Sequence, residues 1–217
     1  MAGKPIVIAD DHPLFRAALR QAVGAAASGR DVKEASSLAA AKDLIEEAPP
    51  GLLCLDLHMD DSQGFAGLIE LRQAYPALPI VIVSGSEDAD VVRRALKFGA
   101  SAFVPKSLDV PRIREAIAAV LDGDMWAPNG ALDAVDADED EASDRLASLT
   151  PTQLRVLVLV QRGLLNKQIA YELSISEATV KAHMTAIMRK LNVQTRTQAV
   201  LAAGALIVEQ DAPDDRA

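Results

Sequence analysis

The chain has one cysteine, few aromatic side chains and no long hydrophobic run, and each shortage removes a class of protein. A single thiol, Cys54, cannot build a disulfide scaffold or a cysteine metal site. Its neighbours Leu53 and Leu55 mark it as a small buried hydrophobe. With aromatics at 3% of 217 residues, Ala, Leu and Val must do most of the packing. The first apolar stretch, Ile6 to Ala9, meets acid at Asp10. It falls far short of a secretory leader or of the roughly 20 residues that span a bilayer. A soluble, cytoplasmic chain without membrane contact is expected. Half of the residues are nonetheless hydrophobic, which gives room for one large or two small cored domains.

Positive charge is also scarce overall, with a net charge of −9. Spread evenly, that balance would disfavour nucleic acid. It is not spread evenly. Between Leu149 and Val208 stand Arg155, Arg162, Lys167, Lys181, Arg189, Lys190 and Arg196 against only Glu172 and Glu177, an excess of about five positive charges. Much of the acid lies just before, at Asp133, Asp136, Asp138, Glu139, Asp140, Glu141 and Asp144.

The chain does carry short apolar runs that end on polar residues. Ile6-Val7-Ile8-Ala9 runs into Asp10-Asp11, Leu52-Leu53-Cys54-Leu55 into Asp56, Ile80-Val81-Ile82-Val83 into Ser84, and Ala102-Phe103-Val104-Pro105 into Lys106. Such runs, alternating with helical patterns, read as buried parallel strands of βα units. Ligands of these sheets bind beyond the carboxyl ends of the strands. Three carboxylates, a hydroxyl and an ammonium would then converge on one pocket suited to a hard cation and a phosphoryl group. Asp11 and Asp56 offer oxygens to Mg²⁺ directly and Asp10 through one water. Lys106 and Ser84 offer a positive charge and a donor to phosphoryl oxygens. Asp56 is the expected phosphoacceptor.

Five strands, with a weak second one at Val32 to Ala35, alternate with five helices over residues 1–123. Residues 124–146 combine Pro128, Asn129 and Gly130 with the acidic run and read as an extended, charged linker. From Leu149 the pattern is helical. Thr150-Pro151 is an N-cap with proline at the first position, and helices follow from Asn166, from Glu177 to Leu191, and from about Thr197 to Ile207. The second domain is placed at residues 147–210, with an acidic tail at 211–217.

The stretches Ile6 to His12, Leu55-Asp56-Leu57-His58-Met59, Val83-Ser84-Gly85 and Phe103-Val104-Pro105-Lys106 resemble the receiver domain of two-component response regulators, a flavodoxin-like (βα)5 fold. The resemblance implies that Asp56 takes a phosphoryl group from a sensor histidine kinase. It also implies that the backbone carbonyl of His58 completes the metal ligands, that Ser84 moves toward the phosphoryl group, and that Phe103 follows it inward. Where receivers usually have proline four residues after the acceptor, this chain has Asp60 and then Asp61. Both are expected to face solvent beside the site. His58 is expected on an exposed loop and His12 on the pocket rim.

Leu149-Thr150-Pro151, Asn166-Lys167-Gln168-Ile169-Ala170, Ser176 to His183 and Arg189-Lys190-Leu191 resemble the four-helix LuxR-type helix-turn-helix domain of the NarL/FixJ subfamily. That family usually has Arg-Glu at Thr152-Gln153 and Ser at Leu165. A recognition helix enters the major groove with its N-terminal part facing base edges. By the resemblance, Lys181, Ala182 and Thr185 face the bases of double-stranded promoter DNA, while Lys167, Thr179, Arg189 and Lys190 suit phosphates. Ala199, Val200, Ala203 and Leu206 are expected to form the seam of a homodimer assembled on activation.

The expected function is a phosphorylation-controlled transcription regulator, not an enzyme beyond slow self-dephosphorylation. Two rivals stand beside it. One is an atypical regulator whose receiver acts by protein contacts alone. The other is a Mg²⁺-dependent phosphohydrolase, although His58 stands where a general acid would be needed.

Overall fold

The computed structural model describes residues 3–128, 141–206 and Val208. The apolar runs form strands because β-branched and aliphatic side chains fill both faces of a sheet covered on both sides. They are β1 (Ile6–Ala9), β3 (Leu52–Asp56), β6 (Ile80–Ser84) and β7 (Ala102–Pro105), each buried along its whole length. The half-exposed β2 (Val32–Ala35) lies at one edge. The strands are parallel in the order β2-β1-β3-β6-β7, the doubly wound arrangement expected of a receiver. Register places Ala9 beside Leu55, Asp56 beside Val83 and Ser84 beside Pro105, so the strands end together.

Alternation along the strands divides the core. Ile6, Ile8, Leu52, Cys54, Val81 and Val104 pack against α1 (Pro13–Ala26) and α5 (Val110–Asp122). Val7, Leu53, Leu55, Ile80, Ile82 and Phe103 face α2 (Leu38–Glu47), α3 (Ala66–Ala74) and α4 (Ala89–Lys97). Cys54 is fully buried, and desolvation pushes its thiol up to about 12, which makes it the inert hydrophobe its neighbours suggest. A short antiparallel hairpin, β4 (His58–Met59) with β5 (Ser62–Gln63), stands where a plain polar loop was expected.

The region read as a linker begins and ends in structure. Trp126 donates its N–H to the Ser101 carbonyl and accepts from the Phe103 N–H, both at 3.1 Å, which covers the β7 edge. At its far end, Glu141–Ala147 forms α6, with Leu146 buried. Burial of one apolar side chain against neighbouring helices suffices to order a segment that composition alone marks as polar. Asp133, Asp136, Asp138, Glu139 and Asp140 lie outside the described residues, as does the acidic tail.

The C-terminal domain comprises α7 (Pro151–Gln161), α8 (Asn166–Glu172), α9 (Glu177–Lys190) and α10 (Arg196–Ala202), closed by a 3-10 turn at Ala203–Leu206. Thr150 and Gln153 form a reciprocal capping box at the start of α7. The Gln that replaces the family's Glu thus retains a bonding role without charge. Ser176 and Thr195 cap α9 and α10. Leu154, Leu157, Ile169, Val180, Met184, Ile187 and Ala199 fill the core.

The expected dimer seam is corrected here. Ala199, Ala203 and Leu206 point inward and are 1% exposed or less and Val200 is half-buried, whereas Leu201 on α10 is 73% exposed. Small residues at helical spacing looked like a seam, but they are the face on which α10 and the following turn close their own domain.

The two domains share one apolar core. The α2, α3 and α4 face of the receiver continues into α6, α7 and the 3-10 turn. Gln73 on α3 donates its side-chain amide to the carbonyl of Ala147, at 3.0 Å, and to that of Leu149. Phe65 donates its N–H to the Leu206 carbonyl at 2.9 Å.

At Gly99 a left-handed backbone coincides with a close approach. Gly99 ends α4 at φ +92°, and a Cβ there would lie 2.9 Å from Nε of Arg72. Gly99→Ala is predicted to cost about 1–2 kcal/mol and to lower the thermal midpoint by several degrees, measured by circular dichroism.

Candidate functional site

Parallel register brings the strand ends together. Lys106 follows β7, and its Nζ lies 2.8 Å from Oδ2 of Asp10 and 2.7 Å from Oδ2 of Asp56. Asp10 is completely buried and Asp56 nearly so. The Lys106 ammonium also lies 5.0 Å from the centre of the Phe15 ring, a favourable cation–π approach. Two backbone amides fix the carboxylates. The His12 N–H donates to Oδ1 of Asp10 at 2.7 Å and the His58 N–H to Oδ1 of Asp56 at 3.1 Å. Ser84 is fully buried and its hydroxyl accepts from the Ser86 N–H at 3.2 Å. The Lys106 N–H donates to the Ser84 carbonyl at 2.7 Å, tying the ends of β6 and β7.

The ligand atoms of Asp10, Asp11, His12 and Asp56 lie within 4.8 Å of one another. Oδ2 of Asp10 and Oδ1 of Asp11 are buried and accept no well-directed hydrogen bond among the described residues. Their close neighbours are Lys106 and, 2.6 Å from Asp11, Nδ1 of His12. Buried anionic oxygens whose lone pairs are not filled by well-directed donors fit a hard divalent cation. His12 sits before the first turn of α1 with its side chain 60% exposed, at the rim as expected.

The Asp56 carboxyl is held above the ordinary carboxylate range. Burial is the main cause and repulsion from Asp10 adds to it, against the downward pull of Lys106 and the His58 N–H.

One expectation about the neighbouring loop is extended and one is corrected. Asp60 and Asp61 are both exposed, as expected, but Asp61 also caps α2, accepting from the N–H groups of Leu38 and Ala39, both at 2.9 Å. A carboxylate suits the positive end of a helix, so Asp61 is a structural cap and does not crowd the site. His58 is 7% exposed, not a solvated loop histidine, and its Nε2 lies 2.7 Å from the carbonyl of Val208. Phe103 is fully buried, so the aromatic already lies inward in this structure.

On α9, Lys181, Ala182 and Thr185 are exposed side by side, and the receiver does not cover them. The Thr185 hydroxyl donates to the Lys181 carbonyl at 3.1 Å, leaving its methyl and its acceptor lone pairs for a ligand. Lys167, Thr179 and Arg189 are exposed as well. Lys190 differs: its Nζ donates to the Ser148 carbonyl at 2.7 Å, which ties α9 to the turn before α7. His183 is half-buried and Leu165 is 69% exposed at the start of α8. Gln73 and Val208, which join the domains, had no motif to announce them.

Comparison with known proteins decides the family. The response regulator receiver domain matches residues 6–118, and the luxR family of bacterial regulatory proteins matches residues 147–203. The chain is a response regulator with a LuxR-type DNA-binding domain. It is 41% identical over 208 residues to the glycerol metabolism activator of Pseudomonas putida, covering 92% of this chain and 94% of that one. It is 31% identical to the transcriptional regulatory protein DegU of Brevibacillus brevis, covering 90% and 91%. It is 30% identical to the nitrate/nitrite response regulator NarL of Escherichia coli K12, covering 90% and 93%. Among solved structures, the response regulator RcsB of Salmonella typhimurium aligns with a TM-score of 0.56 at 21% identity, over 94% of this chain and 99% of that chain. That last likeness supports the shared fold.

The raised Asp56 carboxyl makes a signed prediction. Its ionised form is disfavoured by folding, a cost absent below the unfolded-state value and fully present above the folded one. Asp56→Asn should therefore stabilise the response regulator at pH 7 and raise its Tm. The gain should disappear below about pH 4, where Asp56 is protonated in both states. Thermal melts of both proteins across pH 3.5–8 check it.

Proposed function

We propose that Asp56 accepts a phosphoryl group from a phosphohistidine of a sensor kinase, and that this controls binding of promoter DNA by α9. The observation that carries the reading is the Lys106 ammonium, held within 2.8 Å of two buried carboxylates on different strands, in a chain that also exposes Lys181, Ala182 and Thr185 on one helix. An Asp56 oxygen attacks phosphorus, the O–P bond forms, and the N–P bond breaks with its electron pair returning to the kinase imidazole. Asp11, Asp56 and the His58 backbone carbonyl would hold Mg²⁺, with Asp10 acting through water. The cation, when bound, supplies neutralisation of phosphoryl charge. Lys106 pairs a phosphoryl oxygen, and Ser84 turns its hydroxyl toward another, with Phe103 filling the space behind it.

On DNA, Lys181 is assigned to a base edge, with Ala182 and Thr185 beside it in the groove. Lys167, Thr179 and Arg189 are assigned to phosphates; Lys190 joins them once it leaves Ser148. Two copies, meeting through the exposed Leu201 side of α10, would read half-sites roughly one helical turn apart. Turnover is limited to slow loss of phosphate from Asp56, because the side chain two residues on is His58, whose ring is engaged by Val208. No described helix is long and apolar enough to cross a membrane, in keeping with a cytoplasmic regulator.

Phosphate-affinity electrophoresis after incubation with acetyl phosphate and Mg²⁺ should show a shifted band for the wild type and none for Asp56→Asn. Absence of the band with both acetyl phosphate and a competent kinase would leave a receiver that acts by protein contacts alone. For DNA, Lys181→Ala should weaken specific binding by about 1–3 kcal/mol in a mobility-shift assay. Unchanged affinity removes Lys181 from the base-reading set.

A further inference from the structure

We infer that His58 is a positioning residue that makes the phosphorylation pocket and the docked C-terminal segment compete. Its backbone N–H donates to Oδ1 of Asp56 at 3.1 Å, and its ring Nε2 lies 2.7 Å from the carbonyl of Val208, 150 residues away in sequence. A carbonyl only accepts, so Nε2 carries the proton and donates. Both residues are buried, His58 at 7% and Val208 at 5% exposure. The neighbouring bond from the Phe65 N–H to the Leu206 carbonyl, at 2.9 Å, holds the same segment against the receiver.

This coupling rests on the reading that the His58 carbonyl faces the cation when the pocket is loaded. One residue then has two duties with different geometric demands. Holding its carbonyl on a cation constrains the same backbone that carries the imidazole. A buried hydrogen bond at 2.7 Å loses most of its strength within less than an ångström or through a modest change of angle. Loading the pocket therefore weakens the hold on Val208. By thermodynamic reciprocity, a docked Val208 opposes loading by the same factor.

Control works by tethering rather than by masking. Lys181, Ala182 and Thr185 are exposed while the domain is docked. What docking withholds is freedom of the domain to turn into register with a second copy on DNA.

The test uses truncations of the full chain at a point remote from the pocket. Removing residues 208–217 deletes the acceptor carbonyl; removing 210–217 deletes the acidic tail and retains it as a peptide carbonyl. Initial rates of phosphorylation by acetyl phosphate and Mg²⁺ are compared by phosphate-affinity electrophoresis. The shorter chain should be phosphorylated about fivefold faster than wild type, the size expected of one buried hydrogen bond, and the chain ending at Glu209 should match wild type. In a His58→Ala background, removal of 208–217 should produce no further gain. A rise in rate is not a symptom of misfolding, so it separates coupling from damage. Equal rates for the shorter chain and wild type would overturn the coupling. So would the same gain on removing only 210–217, or full multiplicativity of the two changes. If the wild type itself took no phosphate, the reading of Asp56 would fall and the coupling with it; a phosphorylated wild type with an unaccelerated truncation sinks the coupling alone.

Discussion

Carboxylates at adjacent strand ends repel one another, and in this pocket the charge that lets them share the space is Lys106. Burial raises the cost of each ionised group, and the proximity of Asp10 to Asp56 raises it again. Only an ammonium within contact distance of both makes the arrangement tolerable. That requirement explains features that otherwise look separate. The strand ending at Lys106 must lie in parallel register with the one ending at Ser84. The Lys106 backbone must be pinned to Ser84, and the ammonium has the Phe15 ring beneath it. In the function proposed above, a metal cation and a phosphoryl group would exploit a balance already strained in favour of added positive charge and exchangeable oxygens.

The second domain is not a passive passenger. Its apolar surface completes the receiver core around α3, and its last described residues reach the hairpin that follows Asp56. Interfaces within a chain are usually modest and polar-rimmed. Here the polar bonds use backbone carbonyls of Ala147, Leu149, Leu206 and Val208, which no side-chain substitution removes directly. The contact is thereby robust to drift on the output side and sensitive on the receiver side, at Gln73 and His58.

Much of this was legible in the sequence because its signals are periodic or terminal. Apolar runs ending in Asp, Ser or Lys gave the strands, their parallel order and the pocket, and Thr150-Pro151 and Ser176 marked helix starts. What escaped notice depends on partners distant in sequence. The cap that Asp61 makes was missed because its partner, the open N-terminus of α2, lies 22 or 23 residues earlier. His58 was read as exposed because nothing local predicts a carbonyl at Val208. The small-residue stripe Ala199, Ala203 and Leu206 was assigned to a partner chain, although helical spacing shows only that a face is buried and not what buries it. Acidic composition around α6 hid Leu146 for the same reason.

Trp126, buried at the β7 edge beneath Arg112, is the chain's sole tryptophan. Its carbonyl receives the Phe103 N–H, so the indole is rooted where the last strand of the receiver meets the start of the interdomain connection. Intrinsic indole emission of this protein accordingly comes from one address. With no second indole to dilute it and a guanidinium 5.6 Å from its ring, the spectrum reports the peeling or holding of that edge, and the regulator carries its own optical probe without a label.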